Sequence, residues 1–337
     1  MAYPATNRFS YWGQLGILAG LIGAGLIFGQ IIAFIPLLMK MDLKQLMEHT
    51  KDIESVIFVP ENAGILRVVQ FLSTLFLFFI PTLIYARICH RRTFTHLGFK
   101  HAVTLQQAIV VIVIMLAALP LVGALSEFTE KLPFSKATFD RFKVAEDAYN
   151  KQVAIIGRMD NFKDYLLSLF MLALLPAVFE ETVFRGGIQN LLSRWTKLPL
   201  FAIIFTSAVF SAVHGSYLGF LSRFVLGFVL GWMYNRTGNI WLNIIAHGFY
   251  NGTAVTVLYI TKLNDPHADL SKSDLQFPLW TGLASLVVLY GLFMIFERVS
   301  KYQIDKPGEE VLMPVENNNQ PSWINTPPAD NDNTNGI

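Results

Sequence analysis

Long uncharged stretches alternate with short polar segments along most of the chain. A membrane-spanning helix needs about 20 predominantly apolar residues. Four uncharged stretches are at least that long or nearly so: Tyr11–Met39, Val68–Ala86, Ala102–Ser126 and Leu275–Phe296. Each of these four stretches therefore predicts one transmembrane helix.

Four further apolar stretches contain ionisable side chains: Tyr165–Asn190, Leu198–Ser222, Ser216–Asn235 and Thr237–Thr261. Within hydrocarbon every backbone polar group must be paired inside its own segment, which restricts an open chain to helices. The pattern therefore predicts an all-α fold, a polytopic membrane helix bundle with about eight transmembrane helices.

The composition supports a membrane location and argues against nucleic-acid binding. The 337 residues are 53% hydrophobic and only 15% charged, whereas soluble domains are about 25% charged. The formal net charge of +2 is close to neutral, and no basic stripe with interleaved aromatic residues is present. The expected partners are the lipid bilayer and a membrane protein or peptide, and no nucleic acid.

The charge distribution divides the chain into three parts. Residues 1–160 are predicted to form N-terminal membrane helices with an extramembrane loop, Glu127–Asp164, that folds as a small amphipathic cap. Residues 161–298 contain the candidate chemistry and the last transmembrane helix. Residues 299–337 form a polar tail, rich in Asn, Pro and Asp, that is predicted to be disordered. The Lys and Arg distribution predicts a multi-pass protein with both termini cytoplasmic, and a bacterial cytoplasmic membrane is the expected location.

The first candidate element is Glu180-Glu181-x-x-x-Arg185. Charge within lipid is costly, so ionisable groups in a span are functional candidates. Glu181 and Arg185 are four residues apart on one helix face and can pair. Glu180 is rotated by about 100° and can face a cavity. A purely structural ion pair that locks two helices explains Glu181 and Arg185, but it gives Glu180 no purpose.

Two later stretches add one histidine each. Phe210 and His214 are four residues apart, so Phe210 can form the wall of a pocket that His214 enters. His247 and Asn251 have the same spacing, and an imidazole and an amide directed to one point can stabilise an oxyanion. Taken alone, His214 and Asn251 are each better explained by polar contacts between helices. The three elements together, on three successive apolar segments, predict one site assembled from separate helices.

At these residues the sequence resembles the CPBP family of intramembrane endopeptidases, which includes the type II CAAX prenyl endopeptidases and the lysostaphin-resistance-protein-A-like proteins. The family pattern is Glu-Glu-x-x-x-Arg, then Phe-x-x-x-His, then His-x-x-x-Asn or Asp, and all three parts occur here in order. The similarity extends from about Tyr165 to Ile260. The resemblance implies that Glu180 is the catalytic carboxylate and His214 its partner in activating water. It also implies that His247 and Asn251 bind the developing oxyanion.

The resemblance leaves the cofactor open. Glu180, His214 and His247 can supply a zinc site with water in the open position, or they can act without metal as a base and an oxyanion pocket. The first functional hypothesis is an intramembrane endopeptidase. The alternatives are a non-catalytic membrane factor that binds peptides, such as an immunity or regulatory protein, and a proton-coupled transporter.

Overall fold

The computed structural model describes residues 9–41, 56–90, 92–99, 103–265 and 277–301. Within these ranges the chain is helical and contains no strand, which confirms the all-α prediction. Most of the predicted tail, residues 302–337, lies outside the described residues.

Ten helices are described here and numbered in chain order. They are α1 (Tyr11–Lys40), α2 (Pro60–Cys89), α3 (Thr93–His96), α4 (Leu105–Glu130), α5 (Lys136–Ile156), α6 (Phe162–Thr196), α7 (Pro199–Ala212), α8 (Phe220–Thr237), α9 (Ile240–Asn264) and α10 (Leu279–Val299). By length and apolar composition, five of them can cross a membrane: α1, α2, α4, α6 and α10.

Every one of the eight predicted spans corresponds to a helix, but the number of crossings remains a prediction. Helix α7 is apolar and only 14 residues long. The predicted span Leu198–Ser222 was too long, because the helix ends at Ala212 and Gly215 takes a left-handed conformation with φ of 68°. Such a backbone conformation is incompatible with a continuing helix and is readily adopted by glycine.

Helix α6 occupies the centre of the bundle. On one side its residues Leu191 and Ile188 pack with α1 and α2 in a cluster around Leu18 and Tyr85. Its other contacts include Phe184, which packs on Phe210 of α7. Helices α4, α8, α9 and α10 form the largest apolar cluster, which completes the bundle. Because α6 contacts α1 and α2 on one side and further helices of the bundle on the other, its side chains lie between these two groups.

Large apolar side chains cover the outer faces of several helices. Phe28 of α1 is 65% exposed and Val287 of α10 is 74% exposed, and similar residues occur on α4 and α7. Such continuous apolar surface is unusual on a soluble monomer. Together with the five apolar helices, it identifies an integral membrane protein, as the composition predicted.

Helix α6 is interrupted twice by wider π-type turns, at Leu169–Leu174 and at Thr182–Gln189. The first precedes Pro176, which cannot donate a backbone hydrogen bond. The second begins directly after Glu181. Insertions of this kind change which side chains share a face and often occur at functional sites. They flank the short α-helical stretch that carries Glu180 and Glu181.

Candidate functional site

The site is built on the middle of α6, where Glu181 is completely buried. Its carboxylate accepts from His247 Nδ1 at 2.9 Å and pairs with Arg185 Nε at 3.2 Å. Asn243, one turn before His247 on α9, lies close to Glu181 and donates to the carbonyl of Leu230 on α8 at 2.7 Å. Both members of the Glu181–Arg185 pair have no exposed side-chain surface. Glu181 therefore fixes both a cation on its own helix and an imidazole on α9.

Arg185 is held by three neighbours. Besides Glu181, its Nη2 donates to the carbonyl of Gly227 on α8 at 3.3 Å, and its guanidinium lies 5.2 Å from the centre of the Phe210 ring. Gly227 makes this approach feasible, because a Cβ there would lie 3.2 Å from the Phe210 ring. The pairing of Glu181 with Arg185 is thus part of the contact between α6, α7 and α8.

Glu180 differs from Glu181 in its surroundings. Its side chain is 13% exposed, and its Oε2 lies 3.9 Å from His247 Nε2. That separation is too long for a direct hydrogen bond. Among the described residues, Oε2 has no hydrogen-bond partner. Glu180 therefore presents an unpaired acceptor oxygen to the space beside His247, as its position on the helix predicted.

His214 lies in the turn after α7, and its ring packs against Phe210. Its Nδ1 hydrogen-bonds the Phe210 carbonyl at 2.8 Å, and the two rings meet edge to face with centres 5.0 Å apart. His214 is also within electrostatic range of Glu180 and His247. Because Nδ1 is engaged with a carbonyl, the Nδ1–H tautomer leaves Nε2 as an acceptor.

Phe210 contacts both histidines, since its ring centre is also 5.9 Å from that of His247. The structure thus brings together the side chains of Glu180, Glu181, Arg185, Phe210, His214 and His247 from three helices and one turn.

Asn251 has a different environment. Its Nδ2 donates to the carbonyl of Leu172 on α6 at 3.4 Å. This contact ties α9 to the first wider turn of α6, Leu169–Leu174. The second N–H of Asn251 is the one that could contact a substrate.

A metal ion would need three of these side chains around one point. A carboxylate and two imidazoles are chemically suitable zinc ligands. However, no group of three His, Cys, Asp or Glu side chains in the described ranges is arranged so that it could hold a metal ion. The geometry thus gives no support to a zinc set of Glu180, His214 and His247.

A second buried polar cluster lies at the far end of α6, and the sequence did not indicate it. Its members, here called the Arg194 cluster, are Gln14, Tyr85, His90, His96, Asn190 and Arg194. Arg194 donates to Asn190 Oδ1 at 2.8 Å and to Gln14 Oε1 at 3.1 Å, and it reaches the Tyr85 hydroxyl at 3.4 Å. These partners are all neutral. Only Asn190 and Arg194 are close in sequence; Gln14 is 180 residues from Arg194, so local spacing could not have predicted the whole cluster.

Comparisons with known proteins agree with the position of the site. Residues 162–253 match the family model described as "Type II CAAX prenyl endopeptidase Rce1-like". The chain is 26% identical over 141 residues to "Putative membrane peptidase YdiL" of Bacillus subtilis, covering 42% of this chain and 54% of that protein. It is 35% identical over 83 residues to the protein YpbD of the same organism, covering 23% of this chain and 39% of YpbD.

The chain thus spans about half or less of the length of these relatives, and no solved structure matches it significantly. The matched residues run from the start of α6 to the middle of α9 and include all the predicted site residues. The resemblance predicted from the three motifs is confirmed: residues 162–253 are similar to the type II CAAX prenyl endopeptidases of the Rce1-like family.

Proposed function

We propose that the protein is an intramembrane endopeptidase that hydrolyses a peptide bond of a membrane-associated protein or peptide. The observation that carries this proposal is the unpaired Glu180 carboxylate beside two imidazoles in the interior of a membrane helix bundle. A buried carboxylate oxygen without a hydrogen-bond partner is energetically costly, which makes Glu180 a functional candidate. The family match over α6 to α9 and the name of the relative YdiL support the same class of activity.

In the proposed mechanism Glu180 is the general base. It takes a proton from a water molecule that His214 Nε2 helps to orient, while the water oxygen forms a bond to the scissile carbonyl carbon. The carbonyl oxygen becomes an oxyanion, and His247 Nε2 and the second N–H of Asn251 donate to it. His247 must be protonated at that step, since its Nδ1–H is engaged with Glu181. Glu180 then gives its proton to the leaving nitrogen as the C–N bond breaks.

The supporting residues hold these groups in place. Glu181 fixes the orientation of the His247 ring, and Phe210 packs against Arg185 and both histidines. The hydrogen bond from Asn251 to the Leu172 carbonyl ties α9 to α6 near the reacting groups. The substrate expected from the motifs is a membrane-anchored protein or peptide.

Proteolysis by the purified full-length protein in lipid vesicles tests this proposal. A library of quenched fluorescent peptides with lipid anchors serves as substrate. Glu180→Ala and His214→Ala are expected to lower the cleavage rate by about 10²–10⁴-fold. Glu130→Gln, an exposed carboxylate at the end of α4, is the control and is expected to keep the wild-type rate. Equal rates for wild type and Glu180→Ala would end the proposal.

The same preparation separates catalysis from binding and tests the cofactor. If Glu180→Gln folds, inserts and retains full cellular function, peptide binding suffices and the protein is a non-catalytic factor. Elemental analysis of the protein, together with the cleavage rate after treatment with a chelator, distinguishes the metal-free route from a zinc-dependent one. The metal-free route predicts no stoichiometric metal and an unchanged rate.

A further inference from the structure

Helix α5, in the loop predicted to lie outside the membrane, contacts the chain directly beside His214. Three of its side chains, Phe142, Glu146 and Tyr149, follow an i, i+4, i+7 spacing and therefore share one face of the helix. Each contacts a different residue of the segment that follows α7. The contacts are thus made by one continuous face rather than by scattered side chains.

The three contacts differ in chemistry. The Phe142 ring stacks on the Tyr217 ring with centres 4.7 Å apart and planes inclined by 21°. The Ser216 hydroxyl donates to the Glu146 carboxylate. The guanidinium of Arg223 lies 4.9 Å from the centre of the Tyr149 ring. We call Ser216, Tyr217 and Arg223 the mouth surface.

The mouth surface is close to the reacting groups. Ser216 and Tyr217 follow His214 by two and three residues, and Arg223 is within electrostatic range of the His214 ring. Arg223 Nη1 is buried and has no hydrogen-bond partner in the described part of the chain. A buried guanidinium N–H without an acceptor is energetically unfavourable, and a peptide carbonyl or carboxylate would satisfy it.

The fully buried side chains of α5 lie at its far end. There Ile155 and Ile156 are buried against Ala63 and Leu66 of α2, and Arg67 of α2 donates to the Ile156 carbonyl at 2.8 Å. The face opposite Phe142, Glu146 and Tyr149 is exposed, and Val144 there is 69% exposed. Elements with few buried apolar contacts open at low cost, so the half of α5 that covers the mouth surface can move while its end stays anchored.

We propose that the mouth surface binds the substrate peptide and that α5 covers it in the closed state. The contacts made by α5 indicate the ligand, a peptide segment that presents an aromatic side chain to Tyr217 and an acidic group to Ser216 and Arg223. This inference rests on the proposed endopeptidase function for its substrate, but the surface can be tested without catalysis.

A labelled synthetic peptide with the sequence of residues 136–156 is the probe. Its binding to the full-length protein in detergent is measured by fluorescence anisotropy. In the wild type, the tethered α5 competes at high effective concentration. Phe142→Ala and Glu146→Gln in the protein weaken this competitor, so each is expected to tighten binding of the probe by about tenfold. Val144→Ala, on the exposed face, is the matched control and should leave the affinity at the wild-type value.

Two further comparisons define the surface. A probe peptide that carries the changes Phe142→Ala, Glu146→Ala and Tyr149→Ala should bind at least about tenfold more weakly. In the Phe142→Ala protein, adding Tyr217→Ala or Arg223→Gln should weaken binding of the original probe to a similar degree. Equal binding of both probes, or equal affinity of the wild-type and Phe142→Ala proteins, would overturn the proposal.

Cleavage measurements separate this inference from the proposed function. If the protein is a peptidase, Phe142→Ala should raise kcat/KM, because less free energy is needed to uncover the mouth surface. If the probe binds as predicted but no variant cleaves any peptide, the peptidase proposal is refuted and the proposal that the mouth surface binds peptide stands. If the wild type cleaves normally and Phe142→Ala alters neither probe binding nor kcat/KM, the proposal that the mouth surface binds peptide is refuted and the peptidase proposal stands.

Discussion

Helix α6 carries two buried arginines with opposite surroundings. Arg185, in the middle of the helix, pairs with the carboxylate of Glu181 and lies close to the partly exposed Glu180. Arg194, nine residues later, contacts only neutral partners. Both regions contain two histidines. The difference shows that burial of ionisable groups does not by itself mark a site, and that the Glu180 carboxylate, 3.9 Å from the His247 imidazole, is the group that the Arg194 cluster lacks.

The histidines of the two regions also differ. His214 and His247 each engage Nδ1, and His247 Nε2 lies 3.9 Å from Glu180 Oε2. His90 and His96 instead stack on each other with ring centres 3.3 Å apart. Burial, and then the nearby Arg194, lowers the pKa of His90 to about 3. Burial, then His90 and Arg194, lowers the pKa of His96 well below its ordinary value. These two rings therefore pack as neutral aromatic groups at physiological pH.

The largest expected effect on stability comes from Glu181. Glu181→Ala leaves Arg185 buried without a counter-ion, so the free energy of unfolding should fall by about 3–5 kcal/mol. Arg194→Met removes a charge that has only neutral partners and should cost about 1–3 kcal/mol. Thermal unfolding in detergent measures both. The double variant Glu181→Leu with Arg185→Met should be more stable than Glu181→Ala, since no unpaired charge remains. An equal cost for Glu181→Ala and Arg194→Met would remove the contrast between the two regions.

Acid should act mainly through the Arg194 cluster. In the unfolded chain His90 and His96 titrate near pH 6.5, whereas in the folded protein their pKa values are much lower. Below pH 6.5 the unfolded chain therefore binds more protons than the folded one. As the pH falls below 6.5, each histidine should lower the free energy of unfolding by about 1.4 kcal/mol per pH unit. For His90 this loss should continue until the pH reaches its folded-state pKa of about 3. Unfolding midpoints at pH 7.5 and pH 5 measure this slope. The variant His90→Phe should have a shallower slope, and an unchanged slope would contradict the neutral state.

A smaller effect is expected where α9 meets α6. Asn251→Ala removes the side-chain donor to the Leu172 carbonyl and should cost about 1 kcal/mol. Unfolding midpoints of the wild type and of Asn251→Ala measure this cost. An unchanged midpoint would show that the contact does not stabilise the packing of α9 on α6.

The helices were predictable because each apolar stretch is continuous in the sequence. Their ends were less predictable: α7 stops at Ala212 through the backbone of Gly215, which the apolar pattern around it conceals. The wider turns in α6 also escaped prediction, although Pro176 marked the place. The number of membrane crossings depends on how the bundle sits in lipid and stays a prediction, as do both cytoplasmic termini and the three-part division of the chain.

The site residues were found because each pair lies within one turn of a helix. Glu181 and Arg185 could be paired from their spacing alone, and Phe210 could be placed beside His214. The link from Glu181 to His247 could not, because it depends on how α6 and α9 pack. Asn243 was missed for that reason, although its spacing of four from His247 was a signal. Arg223 lies within the predicted span Ser216–Asn235, where the apolar pattern gives no sign of its contact with α5. Apart from Asn190 and Arg194, which are four residues apart on α6, the Arg194 cluster is assembled from separate segments of the chain.

A direct comparison of Glu180→Gln and His90→Phe tests the central claim, that the Glu180 region performs hydrolysis. Both variants change one buried or partly buried ionisable group, and both are assayed on the same lipid-anchored peptide in vesicles. We predict that Glu180→Gln loses at least about 100-fold in cleavage rate and that His90→Phe retains the wild-type rate. Cleavage by Glu180→Gln at the wild-type rate would contradict the account.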